Sequence, residues 1–206
     1  MNKVHLIGMG PGAIDYLLPA AKMEIEKADC LIGAERLLSL FSYPDKKKMR
    51  LDGRLKEVIP YIKKNMDKER IAVLVSGDPG LYSLSASIGS SLKKEEYEII
   101  PGISTLQIAF ARIGESWEDV KIISVHGRGK RGLVKDTRTC GKVFLLTDTK
   151  FPPEKIADYL LRNGIKNRRV IVLKDLTYPH EKIVDTDLKT LANERVQGLC
   201  VMIIKK

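Results

Sequence analysis

Residues 73–84, VLVSGDPGLYSL, set a carboxylate between a glycine and a proline where an apolar run stops. Two readings of Asp78 are open. As the N-cap of a following helix, with Pro79 in the first helical position, it would satisfy a backbone N–H and contribute about 1 kcal/mol of stability. As part of a site, it would offer a charged acceptor beside glycine backbone that a ligand can approach closely. A second stretch repeats the arrangement, because YEIIPGIST ends a β-type run in Pro101-Gly102 and opens a helical one at Ser104-Thr105. On neighbouring strands, two such turns would line a crevice with backbone N–H groups, small hydroxyls and one carboxylate. That lining suits a small polar ligand carrying an amine or a ribose.

Other chemistries fit the residues less well. The first apolar run ends in Gly8-Met-Gly-Pro-Gly-Ala13, a loose match to the dinucleotide-binding turn. A helix opening inside that loop would enclose Pro19 at a cost of roughly 3 kcal/mol. Pro19 is therefore read as the start of the helix, and no acidic residue cleanly ends the second strand, as a ribose contact would need. No glycine loop is followed by Lys-Ser or Lys-Thr, which excludes a P-loop, and Ser76 lacks the setting of a hydrolase nucleophile. Cys30, Cys140 and Cys200 are odd in number and lack CxxC spacing. They predict no bound metal, no disulfide framework and a reducing cytoplasm as the setting.

These turns need strands to hold them. Apolar runs at Val4–Ile7, Cys30–Ile32, Ile71–Val75, Glu98–Ile100, Val120–Val125, Val143–Thr147, Arg169–Leu173, Lys182–Val184 and Cys200–Ile204 predict strands. Helical periodicity falls at Pro19–Lys27, Ala34–Phe41, Leu55–Asn65, Tyr82–Leu92, Thr105–Arg112, Pro153–Asn163 and Asp187–Glu194. The alternation predicts largely parallel α/β sheets with sites at the carboxyl ends of strands. The polar stretch from Arg112 to Asp119 is taken as a linker between an amino-terminal unit, 1–114, and a carboxyl-terminal unit, 118–206, with Trp117 packing it. Residues 127–141 are expected to form a glycine-and-charge loop, and Lys46-Lys47-Lys48 a solvated one. His5 falls in a core strand and is expected to be satisfied there.

The formal charge of +10 would draw a polyanion: nucleic acid, an acidic membrane surface, or a small molecule rich in carboxylates or phosphates. Abundant Lys, Arg and Glu with little Asn and Gln resembles thermophile usage, which accounts for many charges but not their imbalance. A nucleic-acid binder would interleave aromatics with the basic residues, yet aromatics are only 6% of the chain. No apolar run has the roughly 18 residues of a membrane span.

GMGPG, VSGDPGLYSL and IIPGISTLQIAFARIG together resemble the S-adenosylmethionine-dependent tetrapyrrole (corrin/porphyrin) methyltransferases. LIGAERLL (31–38), ISVHGR (123–128), LLTD (145–148) and DLTYPHEKI (175–183) resemble, within them, the branch that methylates C-5 of cobalt-precorrin-7 in anaerobic cobalamin biosynthesis. The resemblance covers nearly the whole chain. It implies a two-domain α/β fold of the tetrapyrrole methylase type, not a Rossmann-type methyltransferase, with the methyl donor in a cleft between the domains and two copies forming a homodimer. Carried over by motif, Gly77, Asp78, Leu81, Ser104 and Thr105 would line the donor site, with Leu145 or Leu146 beside the adenine. Pro11 would lie nearer the acceptor. The chain departs from the family pattern at Leu18-Pro19, where threonine is common, and at His180, which replaces a frequent acid.

Methyl transfer from a sulfonium needs donor and nucleophile aligned about 3–3.5 Å apart more than it needs strong acid or base groups. The absence of a triad or a catalytic carboxylate pair is consistent with it, and no general base is nameable. The acetate and propionate arms of a corrin precursor would give the positive charge a partner. Arg128 is the first candidate to grip one of them, with His126 beside it and Arg112, Lys130, Arg131 and Arg138 as further candidates. Alternatives are another corrin-ring methyltransferase, including the aerobic C-5 enzyme, a basic nucleic-acid binder, and a module that holds the donor without turnover. Aerobic relatives often carry a fused C-15 methyltransferase and decarboxylase domain. The chain's end at Lys206 predicts a separate partner for that step.

Overall fold

The buried runs VHLIG, CLIG and IAVLV build the middle of one sheet. The structure, a computed structural model, describes residues 3–51, 55–83, 85–125, 130 and 132–206. They fall into two compact units, one ending at Ser104 and one beginning at Thr105. In the first, β1 (Val4–Gly8), β2 (Cys30–Gly33), β3 (Lys47–Arg50), β4 (Ile71–Val75) and β5 (Tyr97–Ile100) pair in the order β3-β2-β4-β1-β5. All neighbours are parallel. Every residue of β2 and β4 is buried, as continuous apolar strands covered on both faces should be. Alternation divides the sheet between two cores. Leu6, Ile32 and Val73 face Val58 and Ile62 of α3 (Leu55–Asn65). Ile7, Leu31 and Leu74 face Ala21 and Ile25 of α1 (Pro19–Lys27), which opens on Pro19 as expected.

Two expectations are corrected in this unit. The lysine run is not a loop, since KKMR forms edge strand β3 against β2. Its Met49 reaches the core while Lys47, Lys48 and Arg50 stay exposed, a charged edge of the kind that discourages pairing with other chains. The strands that lead into the GDP and PGIS turns are not adjacent either, because β1 lies between them and pairs with both. Between these elements, α2 (Glu35–Leu38) and α4 (Ser85–Gly89) are shorter than their periodicity suggested.

In the second unit β6 (Lys121–Ser124), β7 (Lys142–Leu146), β8 (Arg169–Lys174), β9 (Lys182–Asp187) and β10 (Cys200–Lys205) pair in the order β6-β7-β10-β8-β9. Only β6 and β7 are parallel. The expectation of largely parallel sheets holds for the first unit and not for this one. A parallel crossover needs about a dozen residues, and the seven of Asp175–Glu181 between β8 and β9 permit only an antiparallel return. Ile156, Ala157 and Leu160 of α7 (Pro153–Arg162) cover Val143, Leu145, Val170 and Met202. Helix α5 (Thr105–Ile113) belongs with this unit: Phe110 is fully buried, 6.3 Å from the ring of Phe144. The division between units therefore falls before α5, ahead of the expected linker, and Trp117 is 46% exposed. Within the expected loop 127–141, Leu133–Thr139 is helical (α6). Gly132 precedes it at φ +78°, and Leu133 and Thr137 are buried one turn apart. A last short helix, α8 (Leu188–Leu191), is capped by Asp187, whose side chain accepts from the N–H groups of Lys189 and Thr190.

Candidate functional site

The turns after β1, β4 and β5 meet main chain to main chain. Met9 N–H donates to the Val75 carbonyl at 2.8 Å, Gly10 N–H to the Gly77 carbonyl at 3.2 Å, and Gly77 N–H back to the Gly10 carbonyl at 2.8 Å. Both glycines are left-handed, with φ +76° and +65°, a region that residues with a Cβ enter at a cost. A Cβ on Gly102 would lie 2.3 Å from the Gly77 oxygen and 2.8 Å from Gly8 Cα, and one on Gly8 would lie 2.5 Å from the Gly102 nitrogen. The carboxyl edge of the sheet is thus a seam that only glycine can form.

Asp78 staples that seam. One carboxylate oxygen accepts from Gly80 N–H at 2.7 Å and the other from Gly102 N–H at 3.1 Å, joining the GDP turn to the PGIS turn. This corrects the N-cap reading, since α4 does not begin until Ser85. Turns occupy residues 79–83, held by the bond from Leu81 N–H to the Asp78 carbonyl and from Ser85 Oγ to the Pro79 carbonyl. Tyr82 sits at φ +49°. The expected fringe of N–H groups is narrowed, because those of Gly10, Gly77, Gly80 and Gly102 are consumed in joining the turns. Beside its remaining N–H groups, the seam offers a ligand carboxylate and hydroxyl oxygen. An ionised carboxylate has about four acceptor positions, and Asp78 uses two of them here.

Of the residues predicted from sequence, Gly77, Asp78, Leu81 and Ser104 come together. Ser104 is 5% exposed, with its Cα 3.7 Å from where a Cβ on Gly77 would stand, and Leu81 is half-buried. Pro11 is buried in the first of the three turns, and Thr105, half-buried, opens α5. Reasoning from sequence missed Arg36 of α2, whose guanidinium donates to Ser76 Oγ. Forty positions separate the two, and only the pairing of β2 with β4 makes them neighbours.

In the second unit, the Leu145 side chain is enclosed in the core, while Leu146, at the end of β7, is half-buried. Lys130 lies over the rings of Phe151 and Tyr159, at 4.4 and 4.2 Å, in an open pocket of about 560 Å³ with Lys155 and Arg162. Arg138 donates to the Asn163 carbonyl. His126, Arg128 and Arg131 lie outside the described residues. In the first unit, His5 Nδ1 is 2.9 Å from the Glu24 carboxylate, satisfied as expected.

Arg112, a candidate for substrate, is already engaged: its guanidinium donates to both oxygens of Glu181, at 2.6 and 3.3 Å. Burial opposes ionisation of Glu181, but the Arg112 guanidinium and the Thr177 N–H outweigh it and hold the carboxyl below the usual glutamate range. A depressed carboxyl stabilises the fold above its unfolded pKa, about 4.3 for glutamate, and that stability is lost as pH falls through the lower folded value. The difference in urea midpoint between the wild type and Glu181→Gln should be largest near neutral pH and should shrink below about pH 4. A constant difference across that range would mean that the ion pair contributes nothing.

Residues 3–192 match the family of Tetrapyrrole (Corrin/Porphyrin) Methylases. The chain is 37% identical, over 97% of its length and 96% of the relative's, to a probable cobalt-precorrin-7 C(5)-methyltransferase of Methanocaldococcus jannaschii. It is 32% identical, over 82% of each chain, to the cobalt-precorrin-7 C(5)-methyltransferase of Salmonella typhimurium. The fold is that of uroporphyrin-III C-methyltransferase from Thermus thermophilus complexed with S-adenosyl homocysteine, with TM-score 0.80, 19% identity and coverage of 100% of this chain and 98% of that one. By sequence over nearly its whole length and by fold, the chain belongs to the tetrapyrrole (corrin/porphyrin) methylase family.

Proposed function

We propose that the chain is an S-adenosylmethionine-dependent C-methyltransferase acting on C-5 of cobalt-precorrin-7 in anaerobic cobalamin biosynthesis. The observation that carries this reading is the glycine-only seam with Asp78 fixed across it, in a chain 37% identical to a relative of that name. The seam fits the donor because the close packing of its glycines fixes Asp78 in place, and because Asp78 keeps acceptor capacity for a cationic amine. When bound, S-adenosylmethionine supplies an electrophilic methyl group on a positively charged sulfur. Asp78 and Ser104 would hold and orient it, while the rigid backbone of the three turns fixes its position. Positioning of this kind is the larger part of what an in-line displacement requires of a protein.

The nucleophile is a bridge carbon of the macrocycle. We take the protein to work in the cytoplasm as a homodimer, with a separate partner for C-15. A relative from Sinorhizobium sp., a precorrin-6Y C(5,15)-methyltransferase [decarboxylating], is matched over 41% of its length. The test is calorimetry with S-adenosyl homocysteine, followed by mass analysis of cobalt-precorrin-7 incubated with the methyl donor. Stoichiometric binding and gain of one methyl group at C-5 are expected. Absence of binding would remove the class, and methylation at another carbon would move the protein to a different branch.

A further inference from the structure

We infer that Arg36 recognises a carboxylate arm of the tetrapyrrole at the rim of the seam, an inference that rests on the proposed function. It stands in α2, which follows β2, and its guanidinium reaches Ser76 Oγ, the hydroxyl immediately before Gly77. Arg50, Arg112, Arg162 and Arg169 each pair with a carboxylate. Arg36, like Arg138 and Arg168, has no carboxylate within ion-pair distance among the described residues, but it meets a neutral hydroxyl at the seam itself. Its neighbour Glu35 is turned to Arg50. Ser76 therefore positions the guanidinium without neutralising it, and both residues are exposed. A guanidinium has five N–H donors in a planar fork, and one contact to a hydroxyl leaves an edge for a carboxylate held by two parallel bonds. The acetate and propionate arms of a corrin precursor are ligands of this chemistry. The donor nucleoside, whose carboxylate is accompanied by an ammonium group, does not need a second cation at that place.

The test uses the whole chain and two probes: uroporphyrin, a flat ring fringed with acetate and propionate, followed by its Soret band, and S-adenosyl homocysteine, followed by calorimetry. Arg36→Gln should weaken uroporphyrin about tenfold, the size of one charge-assisted contact, and should raise KM for cobalt-precorrin-7 more than it lowers kcat. Arg36→Lys should recover part of the affinity, and Ser76→Ala should weaken the ring by less than Arg36→Gln. Homocysteine-nucleoside affinity and melting temperature should stay at wild-type values in all three. Lys64→Ala, on the exposed face of α3, controls for general charge. Ring affinity unchanged in Arg36→Gln, or lowered equally in Lys64→Ala, would overturn the assignment. So would a matching loss of the nucleoside, which marks a bond that only shapes the turn. Failure of the wild type to bind the nucleoside sinks the proposed function, whereas a wild type that binds both probes and is indifferent to Arg36 sinks this inference alone.

Discussion

Gly102→Ala should remove binding of S-adenosyl homocysteine and lower the melting temperature together. A Cβ there would stand 2.3 Å from the Gly77 oxygen and 2.8 Å from Gly8 Cα and carbonyl carbon. Those atoms are all backbone, and they are anchored by the pairing of β1 with β4 and β5. No side chain can rotate away, so the seam must open. Insertion of a methyl group into packed structure costs about 1–3 kcal/mol; with only backbone to yield, the upper end is expected. For a chain of this size that corresponds to a fall of roughly 6–12 °C. Opening the seam separates Gly102 N–H from Asp78, and the carboxylate then has no fixed direction to present to a ligand. Gly141→Ala is the matched control, because a Cβ there meets nothing within 4 Å, and both readouts should stay at wild-type values. Wild-type affinity in Gly102→Ala would show that the donor is held elsewhere.

The sequence disclosed the site more fully than the architecture around it. GDP and PGIS were legible because close backbone approach selects glycine, and that selection leaves a mark whatever the strand order. The strand order left no such mark. Nothing in the runs VHLIG and IAVLV says that β1 is threaded between β4 and β5, since strands buried on both faces read alike in any position. Strand β3 was hidden by its own lysines, which an edge tolerates and a periodicity argument discounts. Helix α6 was hidden by the glycine and charge around Leu133 and Thr137, and the antiparallel half of the second sheet by apolar runs that carry no direction. Arg36 was out of reach for a different reason. Its place at the turn depends on two strands 40 residues apart being neighbours, a fact of tertiary structure that local spacing does not contain.

Asp78→Asn separates the two tasks of the carboxylate. In the native turn one oxygen accepts from Gly80 N–H and the other from Gly102 N–H. An amide keeps one oxygen and replaces the other with an NH2 group, so in either orientation a donor faces a donor. Leaving a part-buried N–H unsatisfied costs about 1–3 kcal/mol, and the variant should melt several degrees below the wild type. A lost cap would cost about 1 kcal/mol and would leave the PGIS turn untouched; the native bonds predict more, with the damage passed to Gly102. The charge that would hold a cationic amine goes as well, so nucleoside affinity should fall at least about tenfold beyond what the loss of stability alone produces. Asp78→Ala removes both acceptors without adding a misplaced donor. It leaves both N–H groups without that partner, so it should match Asp78→Asn in lost binding and melt at least as early. If both variants melted early yet bound S-adenosyl homocysteine as the wild type does, Asp78 would be a staple only, and the seam would have no charged group left to recognise the donor.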